Sequence, residues 1–156
     1  MGNSELTISA AAVTDLASIQ GCARAAYARY IPRMPQEPAP MHADFASQIA
    51  LGQVLVARLS ADFAGYAVFY DQGDHVHLEN VAVLPEMLGR GIGRALIFRV
   101  EAIALERNLP AVELYTNVAM TENLSLYPAL GYSEFDRRRE QGFDRVYFRK
   151  LLRQQG

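Results

Sequence analysis

The sequence predicts an α/β (α+β) domain: a mixed, mostly antiparallel central sheet of six to seven strands with about four helices on its faces. Three observations carry that expectation. Apolar residues recur at helical spacing in the first third of the chain, alternate or run together from Val54 to Val83, and then return to helical spacing. Pro, Gly, Asn and Asp clusters divide these stretches into short segments. Read in order the segments give β-α-α-β-β-β-α-β-α-β-β, with strands both consecutive and separated by helices, which is the pattern of a mixed sheet. At 156 residues and 51% hydrophobic composition, one core in a single domain accounts for the whole chain, 1–156.

Leu6 to Ala10 reads as a short strand, and Thr14 or Asp15 to about Tyr30 as a helix with Leu16, Ile19, Ala23 and Tyr27 on one side. Residues 31–41, IPRMPQEPAPM, hold four prolines and predict a stiff connecting loop. A second helix over about Ala43 to Leu51 ends at Gly52. Val54 to Ala57 and Ala64 to Tyr70 are β-branched and aromatic, with SADF between them, and predict antiparallel neighbours. Asp71-Gln72-Gly73-Asp74 turns the chain into a third strand of this group, His75 to Val83, which Pro85 ends. Ile92, Leu96, Val100 and Ile103 mark one face of a long helix from Gly91 to Arg107. Val112 to Thr116 is a strand, Glu122 to Leu130 a short helix, and Tyr132 to Glu140 with Phe143 to Leu151 a hairpin turned at Gln141-Gly142. The final strand offers an edge on which a homodimer could form.

A formal charge of −2 and a pI near 5.9 argue against a nucleic-acid binder that works through a basic face. The one basic run, Arg137-Arg138-Arg139, falls on a strand and reads as solvated surface. A single cysteine, Cys22, leaves no internal disulfide, fits a reducing compartment and reads as a small core hydrophobe. The first residues, MGNSELTIS, carry no signal pattern, and no apolar run approaches the ~20 residues of a membrane helix. A cytoplasmic protein without a membrane partner is expected.

LPEMLGRGIGRAL, residues 84–96, places Gly89, Gly91 and Gly93 at every second position between a strand and a helix. The spacing fits neither G-x-G-x-x-G nor G-x-x-x-x-G-K-[ST]. What remains is a glycine turn that offers backbone N–H groups and the positive end of a helix to an anion, or else a plain tight turn. In the preceding strand, HVHLENVAV, period two puts His75, His77, Glu79, Val81 and Val83 on one face, three of them able to move protons. Same-face strand residues point in parallel rather than converging, so a metal site from His75, His77 and Glu79 is not expected. Downstream, NVAMTENLSLYPALGY sets Asn123 and Tyr127 four residues apart on one side of a helix.

With LENVAVLPEMLGRGIGRAL and the later LYPALGY on the page, the sequence resembles the GNAT N-acetyltransferase superfamily, in element order and length over nearly the whole chain. Leu88 stands where that family's loop has a polar residue, and Pro128 is unusual inside its short helix. The resemblance implies a GNAT fold and transfer of acetyl from acetyl-CoA to an amine, with no metal. It implies that the backbone of Val81, Ala82 and Val83 pairs with the pantetheine arm, and that the amides of Leu88, Gly89, Arg90, Gly91, Ile92, Gly93 and Arg94 hold the pyrophosphate. Asn123, and more weakly Asn117, fall where the family contacts the cofactor. Tyr127 matches the tyrosine that serves the leaving thiolate as general acid, with a core aromatic as the alternative. His77 and Glu79 occupy the places of catalytic bases in relatives, and either or neither fills that role here.

The acceptor expected is a small-molecule primary amine or an amino-acid-like compound. By position, the proline-rich loop and the last hairpin's turn wall its pocket, with Tyr27, Tyr30, Met34 and Met41 as lining candidates, although such residues equally pack a loop onto a core. A CoA-binding module without turnover and a peptide N-acetyltransferase stand as the alternatives.

Overall fold

The computed structural model describes residues 5–152. The start of the segment read above for targeting signals, residues 1–4, lies outside the described residues. Eleven longer elements follow one another: β1 (Leu6–Ala10), α1 (Leu16–Tyr27), α2 (Phe45–Ala50), β2 (Val54–Leu59), β3 (Asp62–Asp71), β4 (Val76–Val83), α3 (Ile92–Glu106), β5 (Ala111–Asn117), α4 (Thr121–Ala129), β6 (Ser133–Glu140) and β7 (Phe143–Leu151). The strands form one sheet in the order β1-β2-β3-β4-β5-β7-β6. Every neighbouring pair is antiparallel except β4 and β5, which the α3 crossover makes parallel.

Helices cover both faces, so the sheet has two cores. On one face Leu96, Ile97, Val100 and Ala104 of α3, all without exposed surface, pack with Leu78, Val112, Leu114 and Tyr127. Full burial of each of these Leu, Ile and Val side chains contributes about 1.5–3 kcal/mol. On the other face Ile19, Cys22, Ala23 and Tyr27 of α1, at i, i+3, i+4 and i+8, meet Phe45, Val68 and Tyr66. Burial, with the charge of Glu86 adding to it, pushes the Cys22 thiol up to about 12, so the residue is a core hydrophobe. Among the described residues no helix is long and apolar enough to cross a membrane.

Several expectations are corrected. The first helix stops at Tyr27 and tightens into a 3₁₀ segment, Ala28–Arg33, because Pro32 disfavours α geometry at the residue before it and cannot donate. The proline-rich stretch is not wholly loop, since Ala39–His42 is a further 3₁₀ turn entered from Pro38. Between β2 and β3 the turn is only Ser60-Ala61, both at positive φ (52° and 74°), so Asp62 and Phe63 already belong to β3. The edge strands are β1 and β6, and the final strand β7 lies inside the sheet between β5 and β6. β6 carries Glu134 and Asp136 paired with Arg137 and Arg138, a charge pattern that blunts an edge. Pro128 leaves α4 unbroken as far as Ala129.

Two features of β4 position the site. Val68 lies opposite Asn80 while Phe69 lies opposite Leu78, leaving Glu79 as the extra residue of a β-bulge. The bulge reverses the alternation expected from period two. His77, Glu79, Asn80 and Ala82 serve the α1/α2 face, whereas Val81 and Val83 pack on the α3 side. Beyond the bulge the sheet splits: β4 and β5 pair only through Val76–Leu78 with Val112–Leu114. From Glu79 onward the two strands diverge, and both candidate cavities open along that gap.

Candidate active site

The glycine loop enters α3 through backbone geometry that side chains resist. Gly89 and Gly91 have φ of +81° and +75°, and Gly91 caps the helix in the left-handed region. Gly93 is helical, and a Cβ there would meet Val83 Cγ2 at an ordinary 3.6 Å. Among the described residues the N–H groups of Gly89 to Arg94 donate to no carbonyl of the chain, so they remain available in front of the helix. They open on a groove of about 790 Å³, lined by Gly89, Gly91, Ile92, Gly93, Arg94, Leu88, the β4 segment Val81, Ala82 and Val83, and Tyr30, Arg29 and Asn123. The helix terminus and its unpaired amides suit a phosphate oxygen, and β4 beyond Leu78 has no strand partner on the β5 side, which suits an extended amide-bearing arm.

A second cavity of about 310 Å³ lies across the gap, between the proline-rich segment, β4, β5 and the start of β7. Glu79 sits on its wall and accepts three hydrogen bonds. Tyr70 Oη donates to Oε2 at 3.2 Å, Tyr115 Oη donates to Oε1 at 3.2 Å, and His77 Nε2 lies 2.9 Å from Oε2, donating to the ionised carboxylate. Burial by itself would raise the Glu79 pKa, but the hydrogen bond and charge of His77, with Tyr115 and Tyr70, outweigh it and hold the carboxyl below its ordinary value. Glu79 is therefore ionised at neutral pH. Burial and this neighbouring charge push the Tyr115 phenol in the opposite direction, upward. His77 stacks between Tyr70 and Tyr115 with ring centroids 5.2 and 5.5 Å away.

The residue after Glu79 ties α1 to the sheet. Asn80 Nδ2 donates to Tyr66 Oη at 2.7 Å, and its Oδ1 accepts from Tyr27 Oη at 2.7 Å. The Tyr27 hydroxyl also lies 3.2 Å from the Val81 carbonyl. Tyr127 is buried against Tyr132 and Phe148, and burial raises its pKa far above the ordinary phenol value, with Tyr30 a further cause. Its hydroxyl has no hydrogen-bond partner among the described residues, and the side chain lines the 310 Å³ cavity.

The structure brings Glu79, Tyr127, Asn117, Asn123, Val81, Tyr27 and Met34 to that cavity. Asn117 also accepts from the Ala119 amide at 2.8 Å, making it the former of the turn after β5. Asn123 donates to Thr116 Oγ1 at 3.1 Å and faces both cavities. His77 reaches neither cavity and stands behind Glu79. Tyr30 lies along the 790 Å³ groove instead of the smaller cavity, Met41 packs beside the α1/α2 core, and Arg90 lines neither space. His75 turns to Asp74 and Glu113, away from Glu79. The last hairpin does wall the cavity: Phe143 and Arg145 line it, and Gln36 Nε2 donates to the Gln141 carbonyl at 2.7 Å. Asn80, Tyr115 and Arg145 are additions to the sequence reading. Only the bulge brings Asn80 beside Glu79 on one face, and Tyr115 and Arg145 arrive through β5–β7 pairing, where Asn117 lies opposite Arg145.

A crystal structure of the ribosomal-protein-S18-alanine N-acetyltransferase from Escherichia coli is similar, with a TM-score of 0.78 at 22% identity over 97% of each chain. PaiA N-acetyltransferase from Thermoplasma acidophilum, solved in complex with coenzyme A, gives a TM-score of 0.80 at 17% identity, covering 95% of this chain and 99% of its own. Naa50 from Arabidopsis thaliana, in complex with the bisubstrate analogue CoA-Ac-MVNAL, gives 0.71 at 16% identity over 94% and 99%. No curated protein sequence matches the chain. These likenesses are likenesses of fold, but the model of the acetyltransferase (GNAT) family matches residues 20–132, well over half the sequence, and the chain belongs to that family.

Proposed function

We propose that the protein moves an acetyl group directly from acetyl-CoA to the primary amine of a small, amino-acid-like acceptor. One observation carries this reading: the groove and the cavity share Tyr27, Val81 and Asn123 as common walls, so a donor in one and an amine in the other meet at β4. The amides of Gly89 to Arg94 would hold the pyrophosphate, and Val81 to Val83 the pantetheine arm. The donor supplies an acetyl thioester.

The chain's own residues supply the rest. Amines are mostly protonated at neutral pH, and the ionised Glu79 draws the ammonium to the cavity wall. A carboxylate held below its ordinary pKa is a weak base, so the amine's proton passes to a water held at Glu79 and from it to bulk solvent. His77, Tyr70 and Tyr115 keep that carboxylate oriented. Tyr127, a phenol protonated at neutral pH whose unpartnered hydroxyl lines the cavity, is the proton donor for the departing thiolate. The Gln36–Gln141 contact joins the proline-rich segment to the last hairpin, two of the segments that wall the cavity, which favours a small acceptor over a long peptide.

The test is CoA-thiol release by the purified chain from acetyl-CoA across amines, free amino acids and short peptides. Release with small amines is expected. CoA binding with no release on any acceptor would make the protein a binding module, and release on peptides alone would move the acceptor class.

A further inference from the structure

The acceptor cavity has two opposite poles, and only one of them has a role in the chemistry above. Among its described lining residues, Arg145 is the one cationic side chain, and Glu79 and Asp44 are the carboxylates. Asp44 is exposed and its side chain is occupied as the N-cap of α2, accepting from the Ser47 amide at 3.1 Å. Arg145 is different. Its side chain is only 11% exposed, and its guanidinium carbon lies 4.3 Å from the centroid of Tyr115 and 5.4 Å from that of Phe143. It forms an ion pair with Glu140 at 3.6 Å, longer than a hydrogen bond, and that carboxylate also accepts from Tyr147. A guanidinium held between aromatic faces, with its hydrogen-bonding donors incompletely matched, is positioned for a carboxylate.

Tyr115 links the poles. Its hydroxyl donates to Glu79 while its ring face carries Arg145, so the anionic and cationic groups stand on one aromatic side chain. We propose that Arg145 is a specificity-determining residue that binds the carboxylate of the acceptor, and that the acceptor is a free α-amino acid whose ammonium goes to Glu79. The inference rests on the transferase reading above and narrows its substrate class. A hydrogen-bonded charge pair of this kind corresponds to about 10- to 100-fold in affinity.

The experiment compares each common free amino acid with its own carboxamide, by thiol release and by calorimetric binding, in the wild type, Arg145→Gln and Arg145→Lys, each checked for folding by thermal melting. The wild type is expected to prefer the acid at least 10-fold in kcat/KM, Arg145→Gln to bring that ratio toward one, and Arg145→Lys to keep part of it. The wild-type comparison stands even if a variant fails to fold. Carboxylate-dependent binding without thiol release would support the Arg145 assignment while removing the transferase reading. Turnover that ignores the carboxylate, an equal loss for acid and amide in Arg145→Gln, or no binding of any amino acid would overturn it.

Discussion

Tyr127 packs as a core aromatic and still presents its hydroxyl to the cavity. A phenol is protonated at neutral pH with or without burial, and the unpartnered hydroxyl opens on the cavity rather than on another side chain. Tyr127→Phe should keep the packing on Tyr132 and Phe148 yet lower kcat by roughly 10²-fold, the scale of a lost general acid. Unchanged kcat in the folded variant would return Tyr127 to the core alone. Glu79→Gln should cause a loss of similar scale, about 10²-fold in kcat/KM, read in the same assay. Glu79 also has a pH signature. Its folded pKa is held below the ordinary 4.5, so its stabilising contribution is complete above that pH and disappears as pH falls through the lower folded value. Denaturant unfolding of wild type and Glu79→Gln should therefore converge as pH falls from neutral through the ordinary carboxylate range and below it, and a stability gap independent of pH would contradict the ionised, hydrogen-bonded carboxylate.

Among the elements, β3 and β4 decide the site through a local irregularity. Gly65 lies where a Cβ would come within 2.5 Å of the Ala82 carbonyl, a backbone atom that cannot swing away. Gly65→Ala should push the strands apart, costing about 1–3 kcal/mol in denaturant unfolding and raising KM for acetyl-CoA, since Ala82 lines the donor groove. A variant as stable as wild type would mean that β4 gives way easily there. The same region marks the boundary of what sequence could show. Leu6 to Ala10 was readable to the residue, and the Gly89-Gly91-Gly93 turn with its helix was readable because glycine spacing and helical periodicity are local signals. The bulge at Glu79 has no such signal: one unpaired residue in a run of good strand formers reverses every face after it. Ser60 and Ala61 adopt positive φ without a glycine, and the β5–β7 pairing that brings Arg145 to Tyr115 joins residues far apart in sequence. Tertiary contact, rather than local propensity, fixes those features.

For the molecule as a whole, the sheet is held at its middle by a short seam. β4 and β5 share only three residue pairs before they part, and the cavities occupy the space that further pairing would have filled. On the side away from β3, Val81 to Val83 thus lack a strand partner, and the amides of Gly89 to Arg94 lack a carbonyl, partners that a donor bearing amides and a pyrophosphate can provide. A ligand that binds only the folded chain adds RT ln(1 + [L]/Kd), about 2.7 kcal/mol at a hundred times its Kd. In a domain of this size that corresponds to a rise in Tm of roughly 5–10 °C with saturating CoA. Gly91→Ala places a side chain at a φ of +75° and should shift the CoA concentration needed for that rise upward, because strain at the cap disturbs the amides that face the phosphates. A thermal melt that does not move with CoA would show that the groove along β4 is not the donor site, and a CoA response unchanged in Gly91→Ala would move the pyrophosphate away from the glycine turn.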